Sequence, residues 1–264
     1  MPFPESARVV YELNPLEQVI CQLRFPPILR IDSEAPTAFQ ERIRREYPLF
    51  AESSGISQAT TTLKLPAELT RLLTSGLLSM GRTAVREFSS ADAVWKASLT
   101  RESLALTCSR YERWEDFSNH LAGPLEALSA EYSPAFFVRV GLRYVNVIHR
   151  SEYGLTDVPW AELLEPHIAA TLMHPEIASS VEHAAHETVI RLRTNNARVR
   201  LKHGLAMDDD EQVYVIDSDF FTDERVETQH VSTTLQDFNR RAGRLFRSCI
   251  RDRLHAALRP KPIS

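Results

Sequence analysis

Four arginines near the end of this chain, Arg240, Arg244, Arg247 and Arg251, fall at i, i+4, i+7 and i+11. On a helix that spacing is a single face. A stripe of guanidinium groups is the chemistry that grips phosphates or an acidic partner. From Leu235 onward there are eight basic residues against two acidic ones, so the stripe has a surplus of charge to offer. No aromatic side chain lies on it to stack a base, which points to phosphate or charge recognition rather than sequence reading of a single strand. The plainer reading is a solvated face whose basic residues suit a helix C-terminus.

Two more arginines stand out for the opposite reason. Arg24 and Arg143 each lie inside an apolar run, next to an aromatic residue, in Leu23-Arg24-Phe25 and Leu142-Arg143-Tyr144. An arginine that faces inward from a strand must be paired or stacked. As equivalent residues of two similar halves they are candidates for an anionic ligand held between the halves. The structural alternative is a buried carboxylate partner, for which Glu12 and Glu17 are the nearest candidates in sequence.

The remaining chemistry-bearing clusters are weaker. His183 and His186 sit in Glu-His-Ala-Ala-His-Glu, the nearest thing here to a metal motif. The order is neither H-E-x-x-H nor H-x-x-E-H, and the segment runs into a strand, where residues three apart point to opposite faces. Asp208-Asp209-Asp210-Glu211 lacks the spaced ligands and glycine of a calcium loop and reads as a solvated hairpin tip. Cys21, Cys108 and Cys249 are far apart, and none has C-x-x-C spacing. They read as small core residues in a reducing compartment. The eight glycines form no G-x-G-x-x-G and no G-x-x-x-x-G-K-[ST], and G-x-S-x-G is absent. Rossmann, P-loop and α/β-hydrolase chemistry are therefore not indicated, no cofactor is expected, and the chain leans away from an enzyme.

Composition sets the wider bounds. The 264 residues are 43% hydrophobic and carry a formal net charge of −4, which is globular and gives no global attraction to nucleic acid or anionic lipid. No run approaches the roughly 18 apolar residues of a membrane span, and the N-terminus has no secretory pattern, so the expectation is a cytoplasmic protein without a membrane partner.

The elements that must position these residues can be read from period and punctuation. The first twelve residues read as a loose arm. A strand from Gln18 stops at Pro26-Pro27, and Phe39, Ile43 and Tyr47 mark one face of a short helix closed by Pro48. Short strands follow at 61–65, 77–80, 83–88, 94–99 and 104–111, the last alternating as if half-buried. A helix spans 114–132, with Gly123-Pro124 inside it. The second half opens on a strong strand from Phe136, then a helical stretch from Pro159-Trp160, then strands at 188–193, 198–205 and 212–221. A helix over 229–258 closes it. Turns this short join antiparallel strands.

Both halves show the same order of long strand, short helix, antiparallel strands and long helix. The fold expected is α+β, an internally duplicated unit with helices packed on one face of the sheet, the repeats being 1–133 and 134–264 in one compact unit. Leu23-Arg24-Phe25 aligns with Leu142-Arg143-Tyr144, and 104–111 aligns with 213–220. The architecture expected is two antiparallel sheets, each backed by its own long helix, with merger into one continuous sheet as the alternative.

Three stretches, Tyr11 to Leu29, Arg139 to Asn146 and the last helix around Leu235 and Phe246, resemble a sporadically distributed, uncharacterised bacterial protein family of about this length. Its members commonly read leucine-histidine where this chain has Phe238-Asn239. The resemblance brings no catalytic residues, and a patchy distribution is the habit of defence and toxin–antitoxin proteins. The functional expectation is thus a non-catalytic interaction or regulatory module whose partner is another protein. The alternatives are a nucleic-acid or phosphate-ligand binder using the arginine face, and an enzyme with a site between the halves.

Overall fold

The structure is a computed structural model and describes residues 2–55, 83–193 and 196–263. Its strands are β1 (Val9–Tyr11), β2 (Leu16–Arg24), β3 (Leu49–Gly55), β4 (Thr83–Ser89), β5 (Trp95–Thr100), β6 (Ser103–Cys108), β7 (Arg139–Ile148), β8 (Ala184–Arg191), β9 (Arg198–Asp208), β10 (Glu211–Thr222) and β11 (Pro260–Pro262). The α-helices are α1 (Arg30–Ser33), α2 (Thr37–Ile43), α3 (Trp114–Tyr132), α4 (Trp160–Leu163), α5 (Pro166–Ala169), α6 (Val231–Cys249) and α7 (Asp252–Ala257). The strands expected at 61–65 and 77–80, and residues 194–195 of the turn before β9, lie outside the described residues.

The two sheets merge. Nine strands form one antiparallel sheet in the order β3-β4-β5-β6-β2-β7-β10-β9-β8, and the junction is β2 against β7. Each half lays its last strand, β6 or β10, beside its first, β2 or β7, so the fold is α+β with one topology used twice. The register corrects one detail of the repeat. Leu104, Leu106 and Cys108 of β6 belong to the core under the helices, whereas Val213 and Val215 belong to a cluster on the other face. Aligning 104–111 with 213–220 therefore matches opposite faces of the sheet.

The main core lies between the sheet and helices α2, α3 and α6. Val19, Cys21 and Leu23 of β2 and Val140, Leu142 and Tyr144 of β7 face it. From α6 come Leu235, Phe238, Ala242, Leu245 and Cys249, all buried, whose spacing makes one apolar face of the helix. β6 departs from its half-buried pattern, since all six of its residues are buried. In α3, Pro124 has no N–H for the carbonyl of His120. The Tyr47 hydroxyl donates to that oxygen at 2.8 Å, so the proline is accommodated by a side chain from beyond α2.

Two expectations fail locally, both near the chain ends. The last helix is not continuous to Leu258. Ile250 is extended and bridges Leu164, and Arg251 donates its N–H to Leu163, so tertiary pairing splits it into α6 and α7. Nor is the N-terminal arm loose. Phe3 is buried, and β1 pairs with β11. No helix among the described residues is long and apolar enough to cross a membrane.

Under the helices, His203 of β9 lies against Tyr214, whose hydroxyl donates to the carbonyl of Ile168 at 2.7 Å. The His203 Nδ1–H then donates to the same phenolic oxygen at 2.9 Å, which fixes a neutral tautomer. Burial, with lesser contributions from His186 and His167, pulls its pKa from 6.5 down to about 4. The unfolded chain therefore takes up this proton first, and stability should fall as pH drops from 6.5 towards 4. Thermal melts across that window should show this loss, and His203→Gln should flatten it. An unchanged slope in the variant would remove His203 as the cause.

Candidate functional site

On the helix side a cavity of about 460 Å³ lies over the β2–β7 junction. Its floor is the sheet, with Leu16 from β2, Tyr144 and Asn146 from β7 and Ser218 from β10. Its roof is the outward stripe of α6, comprising Gln236, Asn239, Arg240, Gly243 and Arg247. One wall is the N-terminal arm from Ser6 to Tyr11, and the other is Tyr111 to Glu115 at the start of α3. Both halves of the chain thus build it, and it exists because α6 sits over the seam.

Asn239 ties the halves together at its centre. The hydroxyls of Tyr144, from the second half, and Tyr111, from the first, donate to its Oδ1 at 2.9 and 3.4 Å. The two rings meet edge to face at 5.9 Å. Asn14 steadies Tyr111 by donating to its carbonyl at 2.9 Å. On the far side, Tyr11 packs edge-on against Phe246 and donates to Nδ1 of His255 at 2.9 Å. Burial pushes the Tyr11 phenol up to about 12, and the Tyr111 and Tyr144 phenols rise for the same reason. All three remain protonated and act as donors. Burial, helped by Arg247, pulls His255 down, which suits an acceptor.

The charge of the lining is lopsided. Arg8, Arg113, Arg240, Arg244 and Arg247 line the cavity, against Glu112 and Glu115. Glu115 is held by Arg8 at 2.8 Å. Arg247 bonds the Ile250 carbonyl and Asp252, and so braces the break after α6. Arg244 lies 3.6 Å from the carboxylate of Glu5, a residue that is itself highly exposed. Arg240 is exposed and has no ion pair among the described residues. Such a lining can hold an anion over a floor of hydroxyl, amide and aromatic groups.

The structure brings three of the four stripe arginines to one cavity and leaves the fourth outside it. Arg251 falls beyond the end of α6, in the extended link to α7, and does not line the cavity. Arg24 and Arg143 are not brought together. Gln22 pairs with Gly141, and the two arginines lie two residues to either side, Arg24 opposite Arg139 and Arg143 opposite Ile20. That is roughly 13 Å along the ladder. Arg143 is buried on the sheet face away from the cavity, where it makes a bidentate pair with Asp217, both bonds 2.7 Å long. Burial acts to lower its pKa, and Asp217 together with Asp219 more than offsets that, so the net shift is upward. Its carboxylate partner is therefore Asp217, not Glu12 or Glu17.

The other candidates are dispersed. His186 lies on β8 and stacks on His203, while His183 precedes the strand. No group of three metal-ligating side chains occurs among the described residues. The acidic run forms the β9–β10 hairpin tip. It is anchored there, because Glu211 accepts from the N–H and hydroxyl of Ser151 and lies near His149. All three cysteines are buried, and burial pushes the thiols up, Cys108 to about 11 and Cys249 to about 12.

Sequence reasoning missed most of the cavity wall. Tyr11, Tyr111, Tyr144 and Phe246 come from four segments, and no local pattern links them. The stretches that carry the resemblance contain Tyr11, Tyr144, Asn146 and Phe246 without marking a site, and Asn239 stands out as the departure from leucine-histidine.

The Arg143–Asp217 pair gives a direct test of structural against ligand-binding roles. Asp217→Ala should cost about 3 kcal/mol, because it strips a buried guanidinium of its carboxylate, whereas Arg143→Met with Asp217→Val should cost less. Urea unfolding measures both. A neutral Asp217→Ala would show that the pair is not structural. No family model matches this chain, and no curated protein matches it.

Proposed function

We propose that the protein is a regulatory or interaction module that binds a phosphate-bearing ligand in the cavity over the β2–β7 junction. The observation that carries this is the convergence of Arg240, Arg244 and Arg247 from one face of α6, with Arg8 and Arg113 opposite, on a concave space. Guanidinium groups match phosphate oxygens in geometry as well as charge. The volume falls in the ~300–1,000 Å³ range of small-molecule sites.

Concavity also favours a small ligand over a nucleic acid. A stripe that reads a phosphate backbone would present its cations outward in a row. Here Arg251 is off the row, and Arg247 is partly spent on Ile250 and Asp252. In this reading the protein partner expected from the sequence would respond to the ligand rather than to the arginines themselves.

The test is a titration of phosphate-bearing compounds at low salt, followed by calorimetry and by tryptophan fluorescence, since Trp114 lines the cavity. Wild type should bind, with affinity falling as salt rises. Arg240→Gln with Arg244→Gln should weaken binding at least tenfold, and Arg251→Gln should leave it unchanged. Failure of every phosphate compound to bind wild type, or equal losses in the double variant and in Arg251→Gln, would refute the reading.

A further inference from the structure

The α6 face over the cavity has a gap at its centre. Gly243 lies inside a helix of 19 residues, where glycine is the worst former after proline. Packing does not require it, because a Cβ added there meets nothing within 4 Å. Its neighbours on the helix surface, three back and four on, are Arg240 and Arg247, while Arg244 stands about 100° round the helix, and all three line the same cavity. The result is a bare strip of backbone flanked by Arg240 and Arg247, with Arg244 on the adjoining side of the helix. Glycine takes such places where a ligand must approach the main chain closely.

The polar atoms left over around the strip have a pattern of their own. Asn239 spends its Oδ1 on the two tyrosines, and its Nδ2 has no partner among the described residues. On the floor, Asn146 donates its Nδ2 to the Ile216 carbonyl and leaves its Oδ1 without a described partner. Asn146 and Ser218 are each only 4% exposed. The Ser218 hydroxyl likewise has no hydrogen bond to another described residue. None of these three atoms is sealed from solvent, so all are open to the cavity, where the donors and acceptors of a ligand can meet them. Amide donors and acceptors in one small space match the edge of a nucleobase, and aromatic side chains such as Tyr111 and Tyr144 suit a flat ring.

We propose that the cavity is a site for a nucleoside monophosphate. The phosphate lies over Gly243 among Arg240, Arg244 and Arg247, and the nucleoside reaches Asn239, Asn146 and Ser218. This rests on the phosphate-binding reading above and adds to it both the ligand class and the place of the phosphate.

The experiment titrates AMP, GMP, UMP, CMP, ribose 5-phosphate, inorganic phosphate and adenosine into the full chain by calorimetry. It is repeated on Gly243→Leu and Gly243→Ala. At least one nucleoside monophosphate should bind wild type ten times more tightly than ribose 5-phosphate or inorganic phosphate. Gly243→Leu should weaken that binding at least tenfold without lowering the Tm, because its side chain enters open cavity. Gly243→Ala should raise the Tm and confirm that the helix tolerates the site being filled. Ribose 5-phosphate or inorganic phosphate binding as tightly as every nucleotide would overturn the nucleoside assignment and leave the arginine site standing. Unchanged nucleotide affinity in Gly243→Leu would overturn the placement over Gly243. If no phosphate compound binds wild type, this inference falls together with the reading it rests on.

Discussion

The pairing of β2 with β7 is the constraint from which the rest of this molecule follows. Two similar α+β halves could each have closed a small sheet of their own, with edges open to solvent. By pairing their first strands they make one nine-stranded sheet, and the most apolar strands of the chain take its middle. The junction buries Val19, Cys21 and Leu23 beside Val140, Leu142 and Tyr144, and it gives α3 and α6 one continuous surface to cover. Central strands buried on both faces need both faces apolar or paired. That explains the Arg143–Asp217 pair on the far face, where a lone guanidinium could not be tolerated.

The cavity is a consequence of the same junction. Each half brings a long helix to the sheet, and α6 passes over the seam where the two strand sets meet. Its apolar face is satisfied by the core, which leaves its outward stripe to line a space floored by Tyr144, Asn146 and Ser218. The arm closes the remaining side because β1 is fastened to β11, which keeps Ser6 to Tyr11 in place as a wall. Amphipathicity thus does two jobs in α6. One face supplies stability, and the other supplies charge to a concave space.

The parts legible in the sequence are those in which one segment carries its own signal. The period of four in Phe39, Ile43 and Tyr47, the β-rich run from Phe136 and the apolar face of α6 each announce an element, and each element is present, although α2 ends at Ile43 and β7 begins at Arg139. What was not legible depends on contacts between segments. Nothing in Ile250-Arg251 marks a helix end; the break is made by Leu163 and Leu164 drawing the backbone into a bridge. The arm looked loose because its anchor, β11, is at the other end of the chain. Arg24 and Arg143 are equivalent by local sequence, yet an antiparallel junction brings equivalent residues together only at its axis, and theirs lie two residues off it on opposite sides. The arginine stripe was visible as a spacing. That it roofs a cavity was not, because the tyrosines and amides that complete the space come from four other places.

The strand order also dictates how the chain can come together in time. β2 is made early, but its neighbours in the sheet are β6 and β7, which come much later in the chain. Until they arrive, Val19-Ile20-Cys21-Gln22-Leu23 has no permanent partner on either edge, and it is the kind of apolar, β-rich run that pairs with other chains when left open. The second half repeats the problem, since β10 must return to β7 after β8 and β9 have formed. Folding is therefore dominated by non-local closure, which is slow compared with hairpin or helix formation. The same junction that makes the finished sheet secure leaves the unfinished one vulnerable to aggregation until the middle of the chain has been made.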